Sequence, residues 1–419
     1  MKSRFAQSLF SFLLTGLLCG LFAAAAQAAP VQRIYQIQKP LFNVPAIVKA
    51  GDSFELAVKP PQGLSLAGAY LYGVNDPGVR IALTLDQGVE RDGIMVYKAT
   101  APAGTSEALY NLAVHFPTPE LKDDDVWDHQ PHAVKVVKEF KKEFDFIQLT
   151  DIHFNVQDIK GHDMSRIRDR VLELVSAQNP EFVLFTGDLM LNPDTYDTDY
   201  VTAYEEMTHG LAAPVFMAPG NHELYYGKKD AGEWDGMDYW TAAFGPTHYS
   251  FDYGTLHVTG INTFDWPRRW RNRYSEEAMF MGTVINAYIG PEQWNWLQED
   301  LNGAAARGQH CIAATHIPIG TMQGGKTIGV PPDRQKVPGP NVQHFTDLLN
   351  AAGCSHIFVG HMHYNKVNTF GNLQEVLTRS AGISIGNDPE FNWGFRVVHV
   401  KDGRVTGSDI VEIGWKDLD

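Results

Sequence analysis

The sequence predicts an α/β fold preceded by a small all-β sandwich, on three observations. From Phe144 onward, short apolar strands alternate with segments whose apolar residues recur at helical spacing. Between residues 30 and 140, strand-like runs are separated by Gly/Pro turns, and helical periodicity is absent. The 419 residues exceed one typical domain of about 100–200 residues. The predicted division is 1–28 as an export signal, 30–140 as a β-sandwich of immunoglobulin or fibronectin type, and 141–419 as the α/β domain.

In the first part, Ser53–Val58 and residues 108–114 alternate apolar and polar side chains. Asn75-Asp76-Pro77-Gly78 and Pro102-Ala103-Gly104 read as turns. Residues 123–131 read as a polar connection containing Pro131, with the boundary near 140. In the second part, residues 144–149 form a strand that runs into Asp151-Ile152-His153. Ile167, Val171, Leu174 and Val175 then mark one helix face, closed by Pro180. The strand 182–185 runs into Gly187-Asp188, and 214–217 into Gly220-Asn221-His222-Glu223. A helix over 293–301 turns Trp294, Leu297 and Leu301 to one side, and the strand 311–314 runs into His316. Phe345, Leu348 and Leu349 mark another helix, and 356–359 runs into Gly360-His361-Met362-His363. Residues 397–400 and 405–411 close the pattern around the turn Asp402-Gly403.

Hydrophobic residues make up 44% of the chain, enough for a large core and too many for a disordered chain. A formal charge of −15 argues against a nucleic-acid duplex or an anionic membrane as main partner. Any anionic substrate then needs positive charge at the site itself. At the N-terminus, Lys2 and Arg4 precede an apolar stretch over 9–26 and the small-x-small triplet Ala26-Gln27-Ala28. That is the pattern of an export signal, giving a periplasmic or secreted chain that starts at Ala29; an uncleaved anchor is the competing reading. Leu18 is too bulky for a lipid-attachment box at Cys19, and no other segment is apolar enough to span a bilayer. Cys311 and Cys354 would remain after cleavage, either paired in an oxidising compartment or buried as thiols.

The five polar clusters all lie just past the C-terminal ends of strands, where open α/β sheets gather ligand sites. Singly they mean little: Asp-x-His is common, a lone His is usually a core residue, and Gly-Asp is often a turn. Together they supply oxygen and nitrogen donors and no thiolate, a set that suits two adjacent divalent cations such as Mn, Fe or Zn. Such pairs clamp a phosphoryl group during hydrolysis.

On these five motifs, all intact between 144 and about 412, the sequence resembles the calcineurin-like metallophosphoesterase superfamily. The resemblance implies a four-layer α-β-β-α sandwich with two metals at one sheet edge. It implies Asp151, His153, Asp188 and His363 around one metal, and Asp188, Asn221, His316 and His361 around the other, with Asp188 bridging. It further implies attack by a metal-bound hydroxide and a non-ligating His222 as general acid. Two carboxylates against four positive charges leave the centre attractive to a phosphate oxyanion. Purple acid phosphatases place a Tyr ligand where this chain has Leu191, so the phenolate-to-iron colour is not expected. They do share the arrangement of a β-sandwich ahead of the catalytic domain.

Residues 265–274 hold Trp266, Arg268, Arg269, Trp270, Arg271 and Arg273, an unusual density for an acidic chain. Arg binds phosphate through two donors and Trp stacks on rings, so Trp266, Arg268, Arg269 and Arg271 are candidate substrate contacts. The competing reading is a packed loop whose arginines pair with local acids. Tyr225, followed by Tyr226, Lys228 and Lys229, is a second candidate rim, and residues 321–340 a candidate lid. The expected substrate is a small phosphate ester, either monoester or diester. The competing classes are a binding protein with a vestigial metal site and a metallohydrolase acting on a non-phosphate ester.

Overall fold

The computed structural model describes residues 33–118, 125–154, 156, 158–159, 162–191, 196–225, 234–328, 334–383, 392–414 and 417–418. The expected export signal lies outside the described residues.

Side-chain alternation along the strand Glu143–Leu149 sets the layering of the α/β part. Phe144 and Phe146 join one buried cluster, while Ile147 and Leu149 join another. The first cluster lies between two sheets. It combines Phe144, Phe146, Leu184, Phe216 and Val398 with Val258, Ile312, Phe358 and Val376. Phe146 meets Phe358 of the other sheet edge-on, with centroids 5.4 Å apart. Such aromatic pairs contribute about 0.5–1.5 kcal/mol beyond the area they bury. The second cluster fills the outer faces, where helices cover the sheets. The helix Met164–Ala177 starts on the Asp163 side chain, which accepts the Ser165 N–H, and buries Met164, Ile167, Val171, Leu172 and Val175. The result is the expected α-β-β-α layering.

One sheet has the order Val215–Ala218, Val183–Thr186, Glu143–Leu149, Trp393–Lys401, Arg404–Ile413. Its first three strands are parallel and the last two antiparallel. The other sheet has the order Tyr249–Tyr253, Leu256–Gly260, His310–Ala314, Cys354–Val359, Leu373–Leu377, Lys366–Phe370. Its four central strands run parallel. Every parallel strand of the two sheets that precedes a polar cluster therefore points its C-terminal end the same way within its sheet. Cys311 and Cys354 face each other across this second sheet and form a disulfide, which decides between the two readings of these residues.

Ahead of this part, strands between residues 37 and 137 form two five-stranded sheets that share a core of Leu56, Val58, Leu71, Leu112, Val114 and Val136. Of the polar connection expected over 123–131, residues 123–124 lie outside the described residues and the rest is corrected here: Val126–Val137 is one twelve-residue strand. It tolerates Pro131 because the pairing register shifts between Gln130 and Val134, and His132 adopts a left-handed φ of 51°. Several elements had no sequence-based expectation, two of them beside the strands that lead to the polar clusters. The helix Tyr196–Gly210 buries, among its described side chains, the narrow stripe Tyr200, Ala203 and Met207. The hairpin Lys366–Phe370 with Leu373–Leu377 is mostly exposed on its outer strand. In the candidate lid, Thr327–Ile328 pairs with Gln335–Lys336, and residues 329–333 lie outside the described residues. Among the described residues, no helix is long and apolar enough to cross a membrane.

Candidate metal centre

The five loops that follow the parallel strands meet at one point, stitched together by their own backbones. The Asp151 N–H donates to Gly187 O at 2.9 Å, His153 N–H to Asp188 O at 3.2 Å, and Gly360 N–H to His316 O at 3.1 Å. Asp151, His153, Asp188, His361 and His363 all adopt left-handed backbone, with φ between 50° and 69°. This conformation is costly for residues with a Cβ and persists where the surroundings over-determine it. It turns each side chain out of its strand direction toward the shared centre. Glycines make room beneath them. A Cβ on Gly360 would sit 2.0 Å from Thr150 Oγ1, and one on Gly220 would sit 2.1 Å from Asp188 Oδ1.

Asp188 Oδ2 lies 3.1 Å from His316 Nε2, 3.9 Å from His153 Nε2 and 3.8 Å from His222 Nε2. Asp151 Oδ1 lies 3.0 Å from His363 Nε2. Asn221 Oδ1 is 3.0 Å from His316 Nε2 and 3.1 Å from His361 Nδ1. Two groups emerge whose ligand atoms lie within 4.8 Å of one another: Asp151, His153, Asp188 and His363, and Asp188, His316 and His361. Asp188 belongs to both. Asn221 stands against the second through its carbonyl oxygen.

The donor atoms are prepared for cations. His316 Nδ1 engages Thr186 O at 2.7 Å and His153 Nδ1 engages Met190 O at 2.9 Å. A carbonyl only accepts, so Nδ1 carries a proton in both rings and Nε2 is the nitrogen left to turn a lone pair to a cation. His153 Nε2 is buried and has no hydrogen-bond partner among the described residues. A buried polar atom left without a partner is costly, and a cation there removes the cost. Asp151 and Asp188 are both fully buried. Burial pushes the Asp188 carboxyl up, but His316, His222 and His153 outweigh it and hold it well below the usual carboxylate range. In the cation-free pocket His316 is pushed up to about 9, because Asp188 overcomes the burial that disfavours its charge. His361 is pushed down to about 4 by burial and by neighbouring His316. The pocket thus calls for positive charge beside Asp188, and oxygen and imidazole donors surround that spot.

Glu223 belongs to the Gly220-Asn221-His222-Glu223 motif, and the sequence assigns it no role. It is fully buried, and its Oε2 accepts the N–H of Gly220 at 2.7 Å and of Asp188 at 3.0 Å, while Oε1 accepts that of Met190 at 3.0 Å. One side chain thereby joins the loop bearing Asp188 to the loop bearing Asn221. Burial and the nearby Asp188 charge push its carboxyl up to about 8, against the pull of the backbone donors. Its signal was position: an acid one turn into a short helix, able to reach back to that helix's own N-terminus.

The substrate contacts expected in residues 265–274 are corrected for two side chains. Trp266 is buried, stacked on Tyr288 with centroids 4.6 Å apart and edge-on to Trp270. Arg271 is buried, paired with Asp235, and donates to Trp266 O at 2.7 Å. Both hold the loop together and offer no face to a ligand. Arg268 pairs with Asp238 at 2.8 Å, and Arg269 donates to Gln335 and lies over the Trp270 ring. These arginines meet local partners, as in the competing reading. Tyr225 is corrected too: it is fully buried, and its hydroxyl lies 3.1 Å from Leu191 O and 2.9 Å from His222 Nδ1. Tyr226, Lys228 and Lys229 lie outside the described residues. The His222 side chain is 23% exposed, against 1% for His153 and His316.

Comparison with known proteins gives three findings. The chain is similar to the serine/threonine-protein phosphatase CPPED1 of Mus musculus, at 24% identity over 283 residues covering 63% of this chain and 82% of that protein. The Bos taurus protein of the same name is 29% identical over 291 residues, covering 64% and 84% respectively. Solved structures with similarity include a purple acid phosphatase from yellow lupin, with TM-score 0.46, 14% identity, and 88% of this chain and 74% of that one covered. A dimetal phosphatase from Danio rerio also has TM-score 0.46 and 14% identity, covering 65% of this chain and 99% of that one. Residues 144–365, more than half of the chain, match the family described as Calcineurin-like phosphoesterase, with both candidate ligand groups inside the match. This protein therefore belongs to the calcineurin-like phosphoesterase family and is a hydrolase of phosphate esters.

Proposed function

We propose that the chain is an exported phosphomonoesterase that holds two divalent cations, Mn, Fe or Zn, and acts on a small phosphate ester of an alcohol. The observation that carries this reading is the convergence of Asp151, His153, Asp188, Asn221, His316, His361 and His363, with buried donor atoms facing a common space. Asp151, His153, Asp188 and His363 would hold one cation, and Asp188, Asn221, His316 and His361 the other. When bound, such a pair polarises the phosphoryl oxygens and makes water acidic enough to act as a nucleophile near neutral pH.

The chain's own residues do the rest. Asp188 serves both sites, and Glu223 keeps its loop in register with that of Asn221. Asp151 is fixed by the Thr150 hydroxyl at 2.6 Å and the His361 N–H at 3.0 Å. His222 stands outside both ligand groups, with Nε2 3.8 Å from Asp188 Oδ2 and an accessible edge. From there it donates a proton to the departing alcohol oxygen, a role worth about 10²–10⁴-fold. The relatives named as serine/threonine-protein phosphatases support a monoester, whose alkoxide leaving group needs that proton. Export is supported by the N-terminal sequence and by the Cys311–Cys354 disulfide, a bond that persists in oxidising compartments.

The test is hydrolysis of para-nitrophenyl phosphate and bis-para-nitrophenyl phosphate by chelator-treated protein, before and after adding Mn²⁺. The expected result is negligible activity until metal is restored, then faster turnover of the monoester. A faster diester rate would make the chain a diesterase. No metal-dependent hydrolysis of either would overturn the proposal.

A further inference from the structure

We infer that Tyr225 and Arg273 are positioning residues that lock the His222 ring, and that this lock sets how well the enzyme handles alcohols that leave poorly. The inference rests on the acid role proposed above for His222. Tyr225 follows the short helix Asn221–Leu224, and its N–H donates to Asn221 O at 3.1 Å. Its hydroxyl stands 2.9 Å from His222 Nδ1 and 3.1 Å from Leu191 O, and Leu191 O itself contacts His222 Nδ1. Arg273 reaches in from a segment 48 residues away. Its Nη1 donates to the Tyr225 hydroxyl at 2.5 Å, and its guanidinium lies 4.8 Å from the Tyr225 ring centroid.

The protons in this group have one consistent arrangement. A guanidinium only donates, so the Tyr225 oxygen accepts from Arg273 and gives its own proton to Leu191 O. Burial pushes the Tyr225 phenol well up, so that proton stays on it. A carbonyl only accepts, so the His222 nitrogen beside Leu191 O is Nδ1–H. That leaves Nε2 as the nitrogen directed to the Asp188 side, and to act as the acid the ring carries its second proton there and keeps Nδ1–H after giving it up. Flipping the ring would place a C–H against Leu191 O and forfeit the bond. Nothing in this chain of contacts requires Tyr225 or Arg273 to touch substrate. A nitrophenolate departs without a proton, whereas an alkoxide needs one, so a loosened ring slows the second reaction more than the first.

The test compares Tyr225→Phe, Arg273→Gln, Arg273→Lys and His222→Ala with the unaltered enzyme on para-nitrophenyl phosphate and on an alkyl phosphate monoester. Metal content is measured for each, and the His222 tautomer is read by long-range ¹H–¹⁵N NMR of the zinc-loaded protein. Tyr225→Phe and Arg273→Gln should lower the ratio of alkyl to nitrophenyl kcat about 10-fold, part of the full general-acid effect. They should keep their metals and show mixed His222 tautomers, and Arg273→Lys should recover part of the ratio by restoring a donor. If His222→Ala lowers the ratio but Tyr225→Phe and Arg273→Gln do not, the positioning role is wrong and the acid role stands. If His222→Ala leaves the ratio unchanged, the acid role fails and the positioning role with it. Loss of metal from both Tyr225→Phe and Arg273→Gln also overturns the inference, because their effect is then structural.

Discussion

The carboxylate of Glu223 is anchored on the backbone of Asp188: its Oε2 accepts the Asp188 N–H at 3.0 Å while also accepting that of Gly220. Glu223→Gln removes one acceptor oxygen and turns an amide N–H₂ toward backbone donors. An unsatisfied buried group of this kind costs about 1–3 kcal/mol. The variant should melt at lower temperature and retain less metal after gel filtration, measured by thermal unfolding and elemental analysis. Wild-type values for both would mean that the two loops are held by something other than this clamp.

Removing Asp188 and removing His222 should separate metal binding from proton transfer. Asp188 stands in both ligand groups, whereas His222 stands in neither. Asp188→Ala is expected to lose metal and activity together. His222→Ala is expected to keep its metal content and lose turnover, most with a poor leaving group. An equal loss of metal in both variants would place His222 among the ligands.

Gly360→Ala should damage the site without replacing a ligand, by crowding one of them. The added methyl would meet Thr150 Oγ1 at 2.0 Å and Asp151 Oδ2 at 2.6 Å, and both are pinned. Overpacking at such a point costs roughly 1–3 kcal/mol. Gly407→Ala, with nothing within 4 Å of the new Cβ, is the control and should behave as wild type. Metal content and monoesterase rate of the two variants check this directly.

Stability should fall as pH rises through about 9 because of one buried histidine away from the site. His257 sits between Asp252 Oδ1 at 2.7 Å and Asp300 Oδ2 at 3.0 Å. Burial opposes its charge, but hydrogen bonds to both carboxylates win and push it up to about 9. A raised value means folding favours the protonated ring. That contribution is complete below the unfolded value of about 6.5 and disappears as pH rises through the folded value. The window corresponds to about 3 kcal/mol. Denaturant titrations at pH 6 and pH 9.5 should show this difference in the wild type and a smaller one in His257→Gln.

Reducing the Cys311–Cys354 bond should destabilise the second sheet, since it closes a span of 43 residues. Loop-closure entropy puts the effect at about 4 kcal/mol. Thermal unfolding of Cys311→Ala/Cys354→Ala against the oxidised wild type measures it. An unchanged melting temperature would show that the neighbouring strands hold the fold without the bond.

The elements legible in the sequence were those whose periodicity matches their burial. The strands ahead of Asp188, Asn221 and His316 are short apolar runs, because both faces of a sheet in a layered fold are covered, and those ahead of Asp151 and His361 end in apolar, buried residues. Tyr196–Gly210 escaped because Tyr200, Ala203 and Met207, the buried ones among its described side chains, give a weak pattern. Val126–Val137 escaped because Pro131 argues against a strand, and a local register shift removes the objection. At the site, residue types and strand-end positions were readable for all seven ligand candidates. The substrate candidates Trp266, Arg271 and Tyr225 were misread because charge and aromatic density do not tell an exposed rim from a packed loop.

The order of five polar motifs and the donor types within them are properties of the sequence, since chemistry is written residue by residue and strand ends can be counted. Which lone pairs face each other is not. The left-handed turns at Asp151, His153, Asp188, His361 and His363, the hold of Glu223 on two loops and the reach of Arg273 to Tyr225 arise from contacts between distant segments. A local window of sequence carries no record of those contacts, because the energy that selects them comes from groups that meet only after the two sheets have packed.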